Sequence, residues 1–299
     1  MIIVVAILLL VCIGLPLFYA WHIWRLDESS ILGWLLAVAD ACVFSALIIL
    51  VGRWDIAGYY LQFVLMAVLA VSVTVSLVRH VRRPFAPPER SAFLKARFPT
   101  LISLAAFGAA LVYVVSGTTP PGATQDLAFP LRDGRFVIGQ GGGNTLLNKH
   151  AGHDAQRYAA DITAVGPAGF RASGILPDEL NRYEIFGNPV VSPCDGTVTG
   201  IVDGLPDLVP PEADRENPAG NHVVILCDGL RVELAHLQTG SVSVDVDQQV
   251  SVGTRIGLVG NSGNTTEPHL HIHAVDPATN VGVPITFDGR FPVRNSLFR

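Results

Sequence analysis

The ten residues EPHLHIHAVD, Glu267 to Asp276, decide how the C-terminal half of the chain is read. Successive side chains of an extended strand leave opposite faces, so His269, His271 and His273 project from one side, within reach of a single ion or scissile bond. Imidazole is the commonest neutral metal ligand and titrates near physiological pH. Such a row can therefore hold a metal, shuttle a proton, or divide the two tasks among its members. A solvated, His-rich strand is the plain alternative, and an isolated His-x-His does not choose between them.

The neighbourhood of this stretch does choose. Seven of the nine histidines lie after residue 149, at His150, His153, His222, His236, His269, His271 and His273. A core absorbs one or two histidines; several clustered beside turn residues and an Asp read as a metal site. Asp161 interrupts the otherwise apolar QRYAADI, and because a buried unpaired carboxylate is costly, it calls for a cation. Around these residues, short Val-, Ile- and Thr-rich runs (NPVVSP, GTVTGIV, NHVVILCDG, RIGLVG) alternate with Gly, Pro, Asn and Asp clusters. This pattern predicts a mostly β domain built as a small barrel or sandwich. GQGGGNT, residues 139–145, lacks the Gly-Lys-Ser/Thr of a phosphate loop and reads as a flexible approach to the site. Cys194 and Cys227 fall in this half, where an oxidising compartment would permit a bridge, but sequence alone does not show that the two sulfurs meet.

The ordered set AHL, V-x-V with a G-x-x-I-G turn, G-N-S-G and P-H-L-H, between Ala235 and Val275, resembles the core of lysostaphin-type zinc metallopeptidases. These are the glycyl-glycine endopeptidases that cut peptide cross-links in bacterial cell walls. The resemblance spans about residues 130 to 290 and implies a β-sandwich or barrel-like hybrid-motif sheet holding one Zn2+ per chain. It implies His150, Asp161 and His271 as metal ligands and His236 and His269 as catalytic histidines. The sequence departs from the family in two places. The family's first ligand precedes the Asp by four residues, where this chain has Arg157, so that role passes to His150 or His153. His150 is preferred because members with a similar QRYA-like lead use a longer spacing. His273 stands where the family often has Glu, which leaves open a supporting or substrate-contacting role.

The chemistry is coherent without the family. Three protein ligands leave tetrahedral zinc one position for water, which then ionises near pH ~7. No His-Glu-x-x-His helix supplies a glutamate base, so one histidine beside the metal must handle the proton while another stabilises the oxyanion. The resemblance, rather than this chemistry, implies stem or cross-bridge peptides of peptidoglycan as substrates. Two other readings were weighed: a catalytically silent scaffold or activator of other wall hydrolases, and a carrier-type barrel. The first is disfavoured by the intact set of ligands and catalytic histidines, the second by the lack of an acylatable lysine at a hairpin tip.

The N-terminal half is of another kind. The chain is 50% hydrophobic and only 15% charged, too apolar for one ordinary soluble protein. Four runs, about 2–21, 31–51, 56–78 and 100–117, are long enough to span a bilayer as helices. The first lacks a basic leader and a cleavage site and is expected to stay in the lipid bilayer. Arg79, Arg82, Arg83, Arg90, Lys95 and Arg97 in the third connection place that loop in the cytoplasm, and hence the region after residue 118 outside. Asp40 falls mid-span, read as a hydrogen-bonded carboxyl with Gln62 as its candidate neighbour. The chain thus divides into a four-helix transmembrane region (1–117), a Pro-containing linker (118–129) and the zinc peptidase domain (130–299). The expectation is a multi-pass protein of a bacterial cytoplasmic membrane with its chemistry outside. The net charge of -5 and the absence of a basic run in the second half give nucleic acid no footprint. Oligomeric state is not legible.

Overall fold

The computed structural model describes residues 2–87 and 89–299. The chain forms two compact units, Ile2–Val115 and Ser116–Arg299. The first unit is helical: α1 (Ile2–Leu9), a π turn (Leu10–Gly14), α2 (Leu15–Arg25), α3 (Ile31–Val51), the short α4 (Trp54–Ala57), α5 (Leu61–His80) and α6 (Arg90–Ser116). Among the described residues, four stretches are long and apolar enough to cross a membrane, Ile3–Arg25, Ile31–Val51, Leu61–His80 and Arg90–Ser116. The last begins ten residues before the apolar run that hydropathy singles out. Arg90, Lys95 and Arg97, read above as part of a loop, occupy the first turns of α6. Straight-chain charged residues are good helix formers, so the helix continues past the edge of the apolar segment.

The basic residues at this end of the unit have partners. Arg83 bonds Asp27 at 2.9 Å, Arg97 bonds Glu28, and the buried His80 accepts the backbone N–H of Glu28 through Nε2 at 2.9 Å. Asp27 and Glu28 follow the first span, so the connections after the first and third spans meet, as an up-and-down bundle requires. Asp40, half-buried in α3, accepts the Ser103 hydroxyl at 2.5 Å. Gln62 is not that partner: its amide donates to the Tyr59 carbonyl, because the first turn of α5 leaves that oxygen within its reach.

The second unit is mostly β, in thirteen strands: β1 (Gln125–Leu127), β2 (Phe136–Gln140), β3 (Ala160–Ala164), β4 (Pro189–Val191), β5 (Gly196–Val202), β6 (Asn221–Cys227), β7 (Leu230–Leu237), β8 (Gln249–Val250), β9 (Arg255–Leu258), β10 (Leu270–Asp276), β11 (Val281–Val283), β12 (Ile285–Phe287) and β13 (Leu297–Phe298). A nine-stranded sheet runs β13-β2-β3-β10-β7-β6-β5-β8, with β11 on β10, and every pairing in it is antiparallel. Two small sheets, β1 with β12 and β4 with β9, flank it. Part of the stretch read as a spacer is built into this unit, since β1 pairs with β12 and Phe129 is buried among Phe136, Phe287 and Phe298.

Alternation sorts the central strands. Ala160 and Ile162 of β3, Val232 and Leu234 of β7, and Leu270, Ile272 and Ala274 of β10 enter one apolar core. Asp161, His271 and His273 therefore leave by the opposite face, buried but polar. Cys194, just before β5, is bridged to Cys227 at the end of β6.

One loop reading changes. Gly141 and Gly142 are buried rather than flexible, and a Cβ on Gly141 would come within 2.4 Å of the Pro292 carbonyl oxygen. These glycines allow close packing of backbone on backbone. The Pro-rich acidic segment 203–220 has no regular secondary structure, but its ends and centre are fastened. Asp203 accepts the N–H of Gly240, and Asp207 accepts those of Thr239 and Asn261.

Candidate metal centre

The site is assembled by strand register. His271 on β10 stands directly opposite Asp161 on β3, and on its other side it faces Ala235 on β7, the residue before His236. Directly opposed residues share a face and lie close enough to touch. His271 Nδ1 is 2.9 Å from Asp161 Oδ1. His150 comes from a 3-10 turn, Lys149–Gly152, and its Nε2 lies 3.0 and 3.1 Å from the two Asp161 oxygens. That turn is tied down by Asn148, fully buried, whose Oδ1 accepts the His150 N–H and whose amide donates to the Gly142 and Ala159 carbonyls. His153 is exposed and its backbone N–H only closes the same turn.

Among the described residues, His150, Asp161 and His271 are a group able to hold a metal, each offering one ligand atom within 4.8 Å of the others. Two imidazole nitrogens and one carboxylate oxygen fit zinc, and the spacing leaves room for bonds of about 2.0–2.2 Å to a shared centre. Lys149 flanks the carboxylate, its Nζ 3.6 Å from Asp161 Oδ2.

His236 and His269 stand beside this group, their rings 4.7 Å apart, with His236 5.8 Å from His271. Each has its proton assigned by a backbone carbonyl, which can only accept. His236 Nδ1 is 2.9 Å from the Ser262 oxygen, and His269 Nδ1 is 2.9 Å from that of Glu267. Both rings thus carry hydrogen on Nδ1 and keep the Nε2 lone pair. His269 Nε2 lies 3.6 Å from Asp161 Oδ1. His236, next to last in β7, has φ of 62°, a left-handed conformation uncommon for a non-glycine residue. Its N–H is held by the Ala219 carbonyl, and Gly220 sits so close to Ser262 that any Cβ there would lie 2.3 Å from the Ser262 oxygen.

Electrostatics follow burial. Desolvation lowers the pKa of His236 well below its ordinary value, with the nearby His269 and His271 acting in the same sense; His269 and His271 are lowered as well, again mainly by burial. Burial alone would raise Asp161, but charge on His150 and His269 and hydrogen bonds from His150 and His271 outweigh it and hold the carboxyl well below the usual range. The site sets an ionised carboxylate beside His236, His269 and His271, whose burial favours the neutral imidazole that a cation requires of its ligands.

The sequence singled out His150, Asp161, His236, His269 and His271, and the fold brings all five into one cluster. It gave no sign of Arg171, buried, whose Nε donates to Glu267 at 2.7 Å across 96 residues of chain. Glu267 in turn lends its backbone oxygen to His269 Nδ1 and to the Thr265 hydroxyl. Glu267 belongs to the opening motif, but nothing local marks Arg171 as its partner.

A mostly β unit carrying two histidines and an aspartate as a potential metal group, flanked by two tautomer-fixed histidines, defines a hydrolase-type centre. Residues 183–282 match the family model for Peptidase family M23, so the second unit carries a peptidase domain of that family. The matched stretch holds His236, His269 and His271, while His150 and Asp161 precede it. No curated protein matches the chain. Among solved structures it is similar to a zinc-containing peptidase from Vibrio cholerae (29% identity, 34% of this chain and 26% of that one, TM-score 0.26). It is also similar to lysostaphin from Staphylococcus simulans (24%, 33% and 37%, TM-score 0.25) and to Csd3 from Helicobacter pylori (18%, 61% and 37%, TM-score 0.31). The chain spans well under half the length of each of these three.

Proposed function

We propose that this protein is a membrane-anchored zinc metalloendopeptidase that hydrolyses peptide cross-links of bacterial peptidoglycan outside the cytoplasm. The observation that carries the proposal is the adjacency of the His150–Asp161–His271 group to His236 and His269, within a unit that carries a Peptidase family M23 domain. His150, Asp161 and His271 hold the ion, one per chain. When bound, zinc supplies Lewis acidity and brings the pKa of water down to about 7. The chain's own residues do the rest. His236 and His269 each present an unprotonated Nε2, so one accepts the proton released on attack and returns it to the leaving amine. Once protonated, an imidazole is also a donor suited to the developing oxyanion. Ser262 and Glu267 hold the two rings so that this exchange occurs at Nε2.

The helical unit is the anchor. Arg79, Arg82, Arg83, Arg90, Lys95 and Arg97 gather at the end formed by the first and third connections, which the positive-inside rule assigns to the cytoplasm of the inner membrane. With four spans, the peptidase unit then lies outside. We divide the chain into 1–117 as anchor, 118–129 as the joining segment, whose second half packs into the β unit, and 130–299 as peptidase domain.

Purified full-length protein in detergent, assayed for zinc by elemental analysis and for release of soluble peptides from isolated sacculi, is expected to carry one zinc and to open cross-links. Zinc-loaded protein that leaves sacculi intact while cleaving protein substrates would move the substrate class, and full-length protein that binds no zinc would sink the enzymatic reading.

A further inference from the structure

His273 is buried on the site face of β10, two residues beyond His271, and its Nδ1 lies 3.1 Å from His271 Nε2. Two ring nitrogens at that separation bond only if one carries a hydrogen and the other a lone pair. The other nitrogen of His271, Nδ1, faces Asp161 at 2.9 Å and is the one available to a shared ion. Facing the carboxylate alone, Nδ1 carries the hydrogen; once its lone pair is given to a metal, the neutral imidazole holds its single proton on Nε2 instead. The 3.1 Å contact then has one polarity: His271 Nε2 donates and His273 Nδ1 accepts. The β10–β7 register fixes His273 opposite Glu233, and the T-shaped packing of the two imidazoles, 5.1 Å between centroids, keeps the His273 ring on its neighbour.

We infer that His273 is a positioning residue that fixes the tautomer and ring orientation of His271 by accepting its Nε2 proton, so that Nδ1 is presented to the metal. The inference rests on the metal-binding reading above and adds to it a residue that touches neither ion nor substrate. Its physical basis is general: the hydrogen bond on the far nitrogen of a ligating imidazole sets which nitrogen binds and raises ligand basicity, and losing it costs about 10–100-fold in affinity. Here the acceptor is a second imidazole on the same strand, where the two-residue repeat of a β-strand sets the spacing.

The test uses the full-length protein in detergent and a chelator competition that reads zinc affinity directly. His273→Leu, of similar bulk but without an acceptor, is expected to bind zinc about 10–100-fold more weakly than wild type. His273→Asn, whose Oδ1 takes the place of Nδ1, is expected to restore affinity to within a few-fold. Histidine-selective 15N NMR of the zinc-loaded wild type gives a reading independent of how the Leu variant folds, with His271 expected as the Nε2–H tautomer. A Leu variant as tight as wild type, an Asn variant as weak as Leu, or an Nδ1–H His271 in the loaded protein would each overturn the role of His273 while leaving zinc binding intact. Wild-type protein that takes up no zinc would overturn the metal site itself.

Discussion

Asp40, half-buried in the helical unit, and Asp161, buried in the β unit, are carboxylates that the chain treats differently. Asp40 receives one hydroxyl, from Ser103. Asp161 receives two imidazoles within 3.1 Å, has a third at 3.6 Å and a lysine at 3.6 Å. The first is the sparing arrangement of a polar group that a long apolar helix must tolerate. The second concentrates donors far beyond what satisfying one carboxylate needs, and clustered lone pairs of this kind are worth their desolvation cost only when a cation joins them. Polar burial by itself thus says little about function; the number and kind of groups gathered around it says more.

The contrast can be broken or sharpened by substitution. The largest effect is expected at the ligands: His271→Ala should abolish zinc retention and hydrolysis together, since two remaining protein ligands hold the ion poorly. Elemental analysis of the purified variant checks it, and retained zinc would remove His271 from the ligand set. His236→Ala should keep its zinc and lose turnover by about a hundredfold or more, the scale of a positioned acid-base or oxyanion group. If that variant instead loses its metal, the division between ligands and catalytic histidines fails. Reducing the Cys194–Cys227 bridge, which closes a 33-residue separation, should lower unfolding stability by about 2–4 kcal/mol, seen as a lower Tm, with zinc content unchanged. The smallest effect is expected at Asp40→Asn, which preserves a hydrogen bond with Ser103 and should shift stability in detergent by less than about 1 kcal/mol. A loss comparable to that of a site substitution would make the two carboxylates alike after all.

How much of this the sequence disclosed depends on the range of the interactions. The apolar spans, the alternation of β10 and the histidine motif are written within a few neighbours, and all can be read directly. The start of α6 at Arg90 is not legible because hydropathy reports the apolar part of a helix and not its hydrogen-bonded end. The packing of Gly141 against Pro292, the partnership of Arg171 with Glu267, and the fastening of segment 203–220 to the loops that follow β7 and precede His269 join residues far apart in the chain. No local periodicity encodes such pairings. His150 is intermediate: its residue type was visible, but its selection over His153 depends on Asn148 and the turn that follows it.

The direct opposition of His271 and Asp161 has a consequence for how the centre comes into being. A slip of one residue between β3 and β10 would not merely separate the pair; it would drive histidines into the space filled by Leu270, Ile272 and Ala274 and turn those three outward. The apolar core therefore proofreads the polar face. Any pairing that fails to bring the ligands together is rejected by hydrophobic burial before a metal is encountered, so the coordinates of the site are inherited from the folding of the sheet rather than negotiated by the ion.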